Sequence, residues 1–168
     1  RNINADHLKK KLSDLRGLTD FVIIDAAAGL GKEALAAMNA ADELLIVTNP
    51  ELPSVTDALK TIKLAEELKI PVRGIVVTRT KEDNHDMSIR NIEVLTETPV
   101  ISIIPEDKNV RKALIKRDIL VNHAPKSPAA IGYKQLAAGM LGMDFGEVPE
   151  PILRKGIFSK LLEKFGFV

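Results

Sequence analysis

Apolar residues follow two alternating rhythms along this chain. Four short stretches are apolar at nearly every position: Phe21-Val22-Ile23-Ile24, Leu44-Leu45-Ile46-Val47, residues 72–78 and residues 100–104. Such runs predict strands buried on both faces. The third is interrupted by Gly74 and entered through an Ile70-Pro71 turn, and the fourth stops at Pro105. Between them the period changes to that of a helix. Residues 5–16 present Leu8, Leu12 and Leu15 on one face, with Asn4 as cap and Gly17 as terminator. Residues 32–39 are a second helical stretch. Residues 55–68 carry the stripe Val55, Ala58, Leu59, Ile62, Ala65 and Leu68, with Ser54 placed to cap it. On that helix Lys60, Lys63, Glu66 and Lys69 fall on the solvent side. Residues 88–97 turn Ile89, Ile92 and Leu95 inward, and residues 109–117 and 128–140 supply two more helices. Alternation of buried strand and amphipathic helix predicts an α/β fold: three layers, with a mostly parallel sheet flanked by helices.

The rhythm changes again at the end. Residues 146–155 contain Pro149 and Pro151 and read as a linker after a body spanning 1–145. Residues 156–168 then place Ile157, Phe158, Leu161, Leu162 and Phe165 on one helical face, and Ser159, Lys160, Glu163 and Lys164 on the other. Three of the five phenylalanines of the chain lie here. A helix this short is marginal in water and must cover its apolar face. A lipid interface would do so, with Lys160 and Lys164 at anionic phosphates. Docking on its own domain, or on a partner, is the alternative.

Composition narrows the chemistry. A formal net charge of +1 over 168 residues favours neither a nucleic-acid binder nor an acidic tail. There is no Cys, which removes disulfides, thiolate nucleophiles and cysteine-ligated zinc or iron–sulfur sites from these residues. His7, His85 and His123 show no metal-ligand spacing. No signal peptide or bilayer-length apolar run is present, which leads us to expect a cytoplasmic chain with peripheral membrane contact at most. The Lys/Glu-rich and Ile/Val-rich composition suggests a thermophile.

In an open parallel sheet, ligands sit beyond the carboxyl ends of the strands. Those ends carry Asp25, Thr48-Asn49, Thr78-Arg79 and Pro105-Glu106-Asp107. An aspartate closing an apolar strand can orient a magnesium ion through its water shell. It can equally be a turn former or a helix cap. Gly29-Leu30-Gly31-Lys32 is not a phosphate loop, because position 26 is Ala and position 33 is Glu.

In this order the motifs resemble the MinD/ParA group of P-loop ATPases, especially archaeal MinD-like proteins. Residues 19–29, with Asp25-Ala26-Ala27-Ala28-Gly29, look like the family's second nucleotide motif, with Ala27 in place of the usual Pro. Residues 41–51 and 54–58 resemble its next strand, loop and helix start. Thr78-Arg79 falls where an Asn-Arg or Thr-Arg pair usually stands, and Ile103-Ile104-Pro105-Glu106-Asp107 resembles the P-x-D segment. The terminal helix is similar to the membrane-targeting sequence of MinD. The resemblance implies an ATP/ADP- and Mg2+-dependent ATPase switch in cell-division site placement or related spatial positioning. It implies a homodimer on ATP binding, peripheral attachment to the inner face of an anionic membrane, an activating or effector protein as a further partner, and no nucleic acid. Asp25 would be the catalytic and magnesium-orienting carboxylate. Gly29 would adjoin the γ-phosphate, while Thr78, Arg79, Pro105 and Asp107 would border the base and ribose. Two alternatives share the fold: a non-catalytic interaction module, and a ParA-like partition ATPase.

The family's deviant P-loop, with its signature lysine, has no counterpart in these residues. The resemblance places the P-loop strand between the run ending at Asp25 and the strand at 44–47. We therefore expect these residues to be the carboxyl-terminal two-thirds of an ATPase domain, inactive alone and with apolar edges exposed where the strand would lie.

Overall fold

The computed structural model describes residues 5–15, 17–26, 29–81 and 86–143. The Asn4 cap, the linker at 146–155 and the terminal helix at 156–168 lie outside them.

Three parallel strands form the sheet in the order β1 (Leu44–Thr48), β2 (Val72–Thr80) and β3 (Val100–Pro105). Helices cross over between them: α3 (Leu52–Glu67) joins β1 to β2, and α4 (Ile89–Thr96) joins β2 to β3. Before the sheet come α1 (Ala5–Ser13) and α2 (Lys32–Ala40), packed on each other. After it come α5 (Lys108–Ile115), a single turn α6 (Leu120–His123) and α7 (Pro128–Leu141).

Alternate residues of each strand face opposite ways, so the sheet carries two cores. Ile46, Ile75, Val77, Val100 and Ile103 meet Val55, Ala58 and Ile62 of α3 and Ile92 of α4. Val76 and Ile104 meet Ala129 of α7, with Val110, Leu120 and Leu136 packed around them. The result is the expected three-layer α/β fold, with α3 and α4 on one face and α5, α6 and α7 on the other. α7 comes close to β3 at Gly132, where a Cβ would lie 3.3 Å from the Ile104 side chain and 3.4 Å from the Ile103 carbonyl.

Gly74 is the glycine that interrupts β2, and close approach explains it. A Cβ there would meet the Ile101 side chain of β3 and the Pro99 carbonyl.

Several expectations are revised. Residues 21–24 do not form a strand buried on both faces. They run without strand assignment, Phe21 and Val22 are exposed, and Ile23 is 88% exposed. Ser54 does not cap α3, because Pro53 pre-sets the backbone and starts the helix earlier, with Glu51 at the cap position. Leu68 is half-exposed because it follows the last residue of that helix. In α4 the inward face takes Ile92 and Thr96 instead of Leu95, which is exposed. Burial of Thr96 is tolerated because its hydroxyl donates to the Ile92 carbonyl at 2.7 Å. Lys60, Lys63, Glu66 and Lys69 are all exposed, as their spacing predicts.

Candidate functional site

Because the strands are parallel and neighbouring, their carboxyl ends share one edge. This brings together Thr48-Asn49-Pro50, Thr78-Arg79-Thr80 and Pro105-Glu106-Asp107. The three ends are also hydrogen-bonded to one another. The Thr78 hydroxyl lies 3.0 Å from Asn49 Oδ1 and 3.3 Å from the Thr48 carbonyl, and it donates to one of them at a time. The Glu106 amide donates to the Thr80 carbonyl at 3.0 Å. Below Thr80, the amide of Met87 donates to the Pro50 carbonyl at 2.7 Å, and the Lys81 amide donates to Asp86 Oδ2 at 2.8 Å. These bonds tie the segment after β2 back to the rim.

Arg79 is the unusual member. The register steps from Thr78 opposite Ile104 to Thr80 opposite Pro105, so Arg79 is an extra residue in the ladder. Its φ is 58°, in the left-handed region. Lys69, Glu97 and Arg117 share that conformation, but they follow the ends of α3, α4 and α5, where it is an ordinary helix terminator. Arg79 holds it at the end of a strand, and its side chain is exposed. A strained, bulged residue at a sheet's ligand edge points to a working part. Nothing in the residue order announces this bulge.

Asp107 has a defined role of its own. Its carboxylate is buried, at 8% exposure. Oδ1 accepts from the Asn109 amide at 2.8 Å and caps α5, while Oδ2 accepts from the Ala129 amide at 3.3 Å, in the first turn of α7. One side chain thereby holds two helix N-termini, whose dipoles favour its charge. Burial pushes its pKa up, but the Ser127 hydroxyl and the amides of Asn109 and Ala129 outweigh it and hold the carboxyl below its ordinary value. Pro105 ends β3, half-buried beside Thr80.

Asp25 and Gly29 lie before the sheet. Asp25 follows the extended run 21–24, is exposed, and makes no hydrogen bond or ion pair among the described residues. Its oxygens are therefore available to a hydrated cation. Gly29 has φ 86°, which a side chain rarely adopts, and open space around it. No hydrogen bond joins either residue to the three strand ends among the described residues. The described residues contain no cluster of three or more His, Cys, Asp and Glu suited to hold a metal directly.

Comparison with known proteins accords with this fold. The model of the family described as 4Fe-4S iron sulfur cluster binding proteins, NifH/frxC family, matches residues 5–168. An uncharacterized ATP-binding protein of Methanocaldococcus jannaschii is 37% identical over 145 residues, covering 86% of this chain and 55% of that one. The crystal structure of the cell division ATPase MinD from Pyrococcus furiosus superposes with a TM-score of 0.76 at 29% identity, covering 83% of this chain and 59% of that one. The septum site-determining protein MinD from Pyrococcus horikoshii, complexed with Mg-ADP, gives 0.75 at 27% identity, covering 82% of this chain and 56% of that one. The chain thus spans less than two-thirds of the length of each. With no Cys among its 168 residues, it offers no thiolate to an iron–sulfur cluster. The chain belongs to the NifH/frxC family, and within that fold it is homologous to the MinD/ParA deviant P-loop ATPases.

Proposed function

We propose that this chain is the carboxyl-terminal part of a MinD-like ATPase domain, a nucleotide-controlled switch for placing the division site or another cellular structure. The observation that carries the reading is the rim, where three strand ends are hydrogen-bonded together and Arg79 is bulged out at their edge. In this reading Thr78, Arg79 and the backbone at Pro105 border a purine nucleoside. Asp107 acts by fixing that backbone, since both its oxygens are already engaged by helix amides. Asp25 orients a hydrated Mg2+, and Gly29, with its left-handed backbone and no atom within 4 Å of where a Cβ would stand, adjoins the γ-phosphate through its backbone. Mg2+ at such a site supplies neutralisation of phosphate charge. Positioning and charge stabilisation carry phosphoryl transfer to water.

The 168 residues contain no Gly-x4-Gly-Lys-Ser/Thr run. The reading therefore requires phosphate donors from a P-loop strand. The edge of β1 that is unpaired among the described residues and the exposed run 21–24 are the two surfaces it would lie between, and their exposure supports this. Residues 156–168 are proposed to hold the ATP-bound homodimer at an anionic membrane surface, two helices binding more firmly than one. The protein would then be cytoplasmic and peripheral. No helix among the described residues is long and apolar enough to cross a membrane.

An Asp25→Asn variant of the intact protein tests the central role. ATP turnover should fall at least about a hundredfold if the carboxylate orients magnesium and water, while the melting temperature changes little. Turnover equal to the parent's would remove Asp25 from the site. A second reading, a non-catalytic module of the same fold, is favoured by one observation, Ala27 where the related motif has Pro. Absence of turnover in the parent, with a normal melt, would support it.

A further inference from the structure

We propose that the outer face of α5 and the turn after it form a second contact with anionic membranes, made by the globular body itself. Ala113 fills the buried position of this helix and Val110 packs beside it against the second core. Since each residue turns the helix by about 100°, Lys108, Arg111, Lys112, Leu114 and Ile115 are left facing out, and all five are exposed. Leu114 and Ile115 are 70% and 74% exposed, and Ile119, just past the turn, is 61% exposed. The amides of Arg117 and Asp118 donate to the Leu114 and Ala113 carbonyls, both at 3.0 Å, which folds the turn back on the helix end. Three bare aliphatic side chains therefore emerge within one compact stretch.

The charge around them is mostly of one sign. Residues 108–119 contain Lys108, Arg111, Lys112, Lys116 and Arg117 against one carboxylate, Asp118, whose Oδ1 accepts from the Ile119 amide at 2.8 Å. None of these five cations has an ion pair among the described residues. Five cations against one carboxylate around exposed Leu and Ile, in a chain of formal net charge +1, mark this as a local device. Its chemistry selects the occupant. Protein interfaces are depleted in Lys and enriched in aromatic residues, whereas this patch has three Lys and no aromatic. A nucleic-acid backbone would satisfy the cations but leave the aliphatic side chains uncovered. An anionic lipid surface satisfies both, with the aliphatic groups entering the headgroup boundary and the cations at the phosphates. The inference deepens the membrane reading above and rests on it, but it stands on different residues from the terminal helix.

Two variants of the intact protein test it, each made in the parent and in a Phe158→Glu, Phe165→Glu background. The first is Lys108→Gln, Arg111→Gln, Lys112→Gln, read by co-sedimentation with phosphatidylglycerol/phosphatidylcholine vesicles. Binding should weaken roughly a hundredfold, as three surface cations imply, and vesicles of phosphatidylcholine alone should bind little in any case. The second is Ile115→Trp, its emission read as the difference from the parent's; these 168 residues add no other tryptophan. Its emission should shift to the blue on the anionic vesicles and be quenched by brominated lipid. Vesicle binding unchanged by the triple substitution, with no response from the introduced indole, overturns the proposal. So does a blue shift of that indole elicited by polyglutamate but not by vesicles, which would mean an acidic polypeptide partner. An emission already blue-shifted without lipid also overturns it, since another part of the protein would then cover the patch. If the phenylalanine substitutions alone abolish binding while the triple substitution does nothing, the terminal helix stands and the α5 contact falls. The opposite pattern keeps the α5 contact and removes the terminal helix.

Discussion

Replacing Asp107 with Ala removes the side chain that joins two helix starts to the end of β3. Two losses add. The cap of α5 goes with Oδ1, at a cost of about 1 kcal/mol. The Ala129 amide loses a charged acceptor in a buried setting, at a cost of about 1–3 kcal/mol. The expected destabilisation is about 2–4 kcal/mol, read as a shift of the urea unfolding midpoint with an unchanged slope. Asp107→Asn keeps an acceptor for Asn109 and should cost about 1 kcal/mol less than the alanine substitution. The folded-state pKa is depressed, so the carboxylate's contribution is present above its unfolded pKa of about 3.9 and is lost as pH falls through the lower folded value. Parent stability should therefore drop on acidification across that window, and the drop should be smaller in Asp107→Ala. A loss below about 0.5 kcal/mol, or an unaltered acid limb, would show that Asp107 does not join the helices.

The remaining expectations concern core, backbone and tail. Ile62, 1% exposed between α3 and the sheet, should cost about 2–4 kcal/mol on truncation to Ala. Lys63→Ala should be nearly silent in the same unfolding assay, because its Glu66 partner at 3.1 Å is solvent-exposed. Gly74→Ala must push Ile101 or the strand aside and should cost about 1–3 kcal/mol; a thermal melt equal to the parent's would contradict the close approach. Phe158→Glu with Phe165→Glu should abolish the terminal helix's share of vesicle binding with little change in melting temperature. A large fall in that temperature would mean the helix docks on the body.

The residue order made much of this legible. Strands at 72–78 and 100–104 are apolar on both faces because helices cover both sides of the sheet, whereas Val47 of β1, at the sheet's edge among the described residues, is 62% exposed. The apolar runs, with the parallel order they imply, also predict Thr48, Thr78 and Pro105 on a common edge. Residues 21–24 have the same composition, yet apolar content records a demand for burial and not its fulfilment, and among the described residues no strand pairs with them. Ser54 misled because a good capping residue one position after a proline is overruled by the proline's fixed φ. Leu95 misled because a satisfied threonine can take the inward position. Arg79 was legible as a polar strand end but not as a bulge, since a register step depends on the neighbouring strand. The two-helix role of Asp107 was hidden for a similar reason: Ala129 is 22 residues away and meets it only through the fold.

Calorimetric titration of the intact protein with ATP in the presence of Mg2+ tests the central claim most directly. The account expects saturable binding with one nucleotide per chain, weakened when Mg2+ is chelated and weakened in the same way by Asp25→Asn. Absence of binding at millimolar ATP, or binding indifferent to both Mg2+ and Asp25, would contradict it.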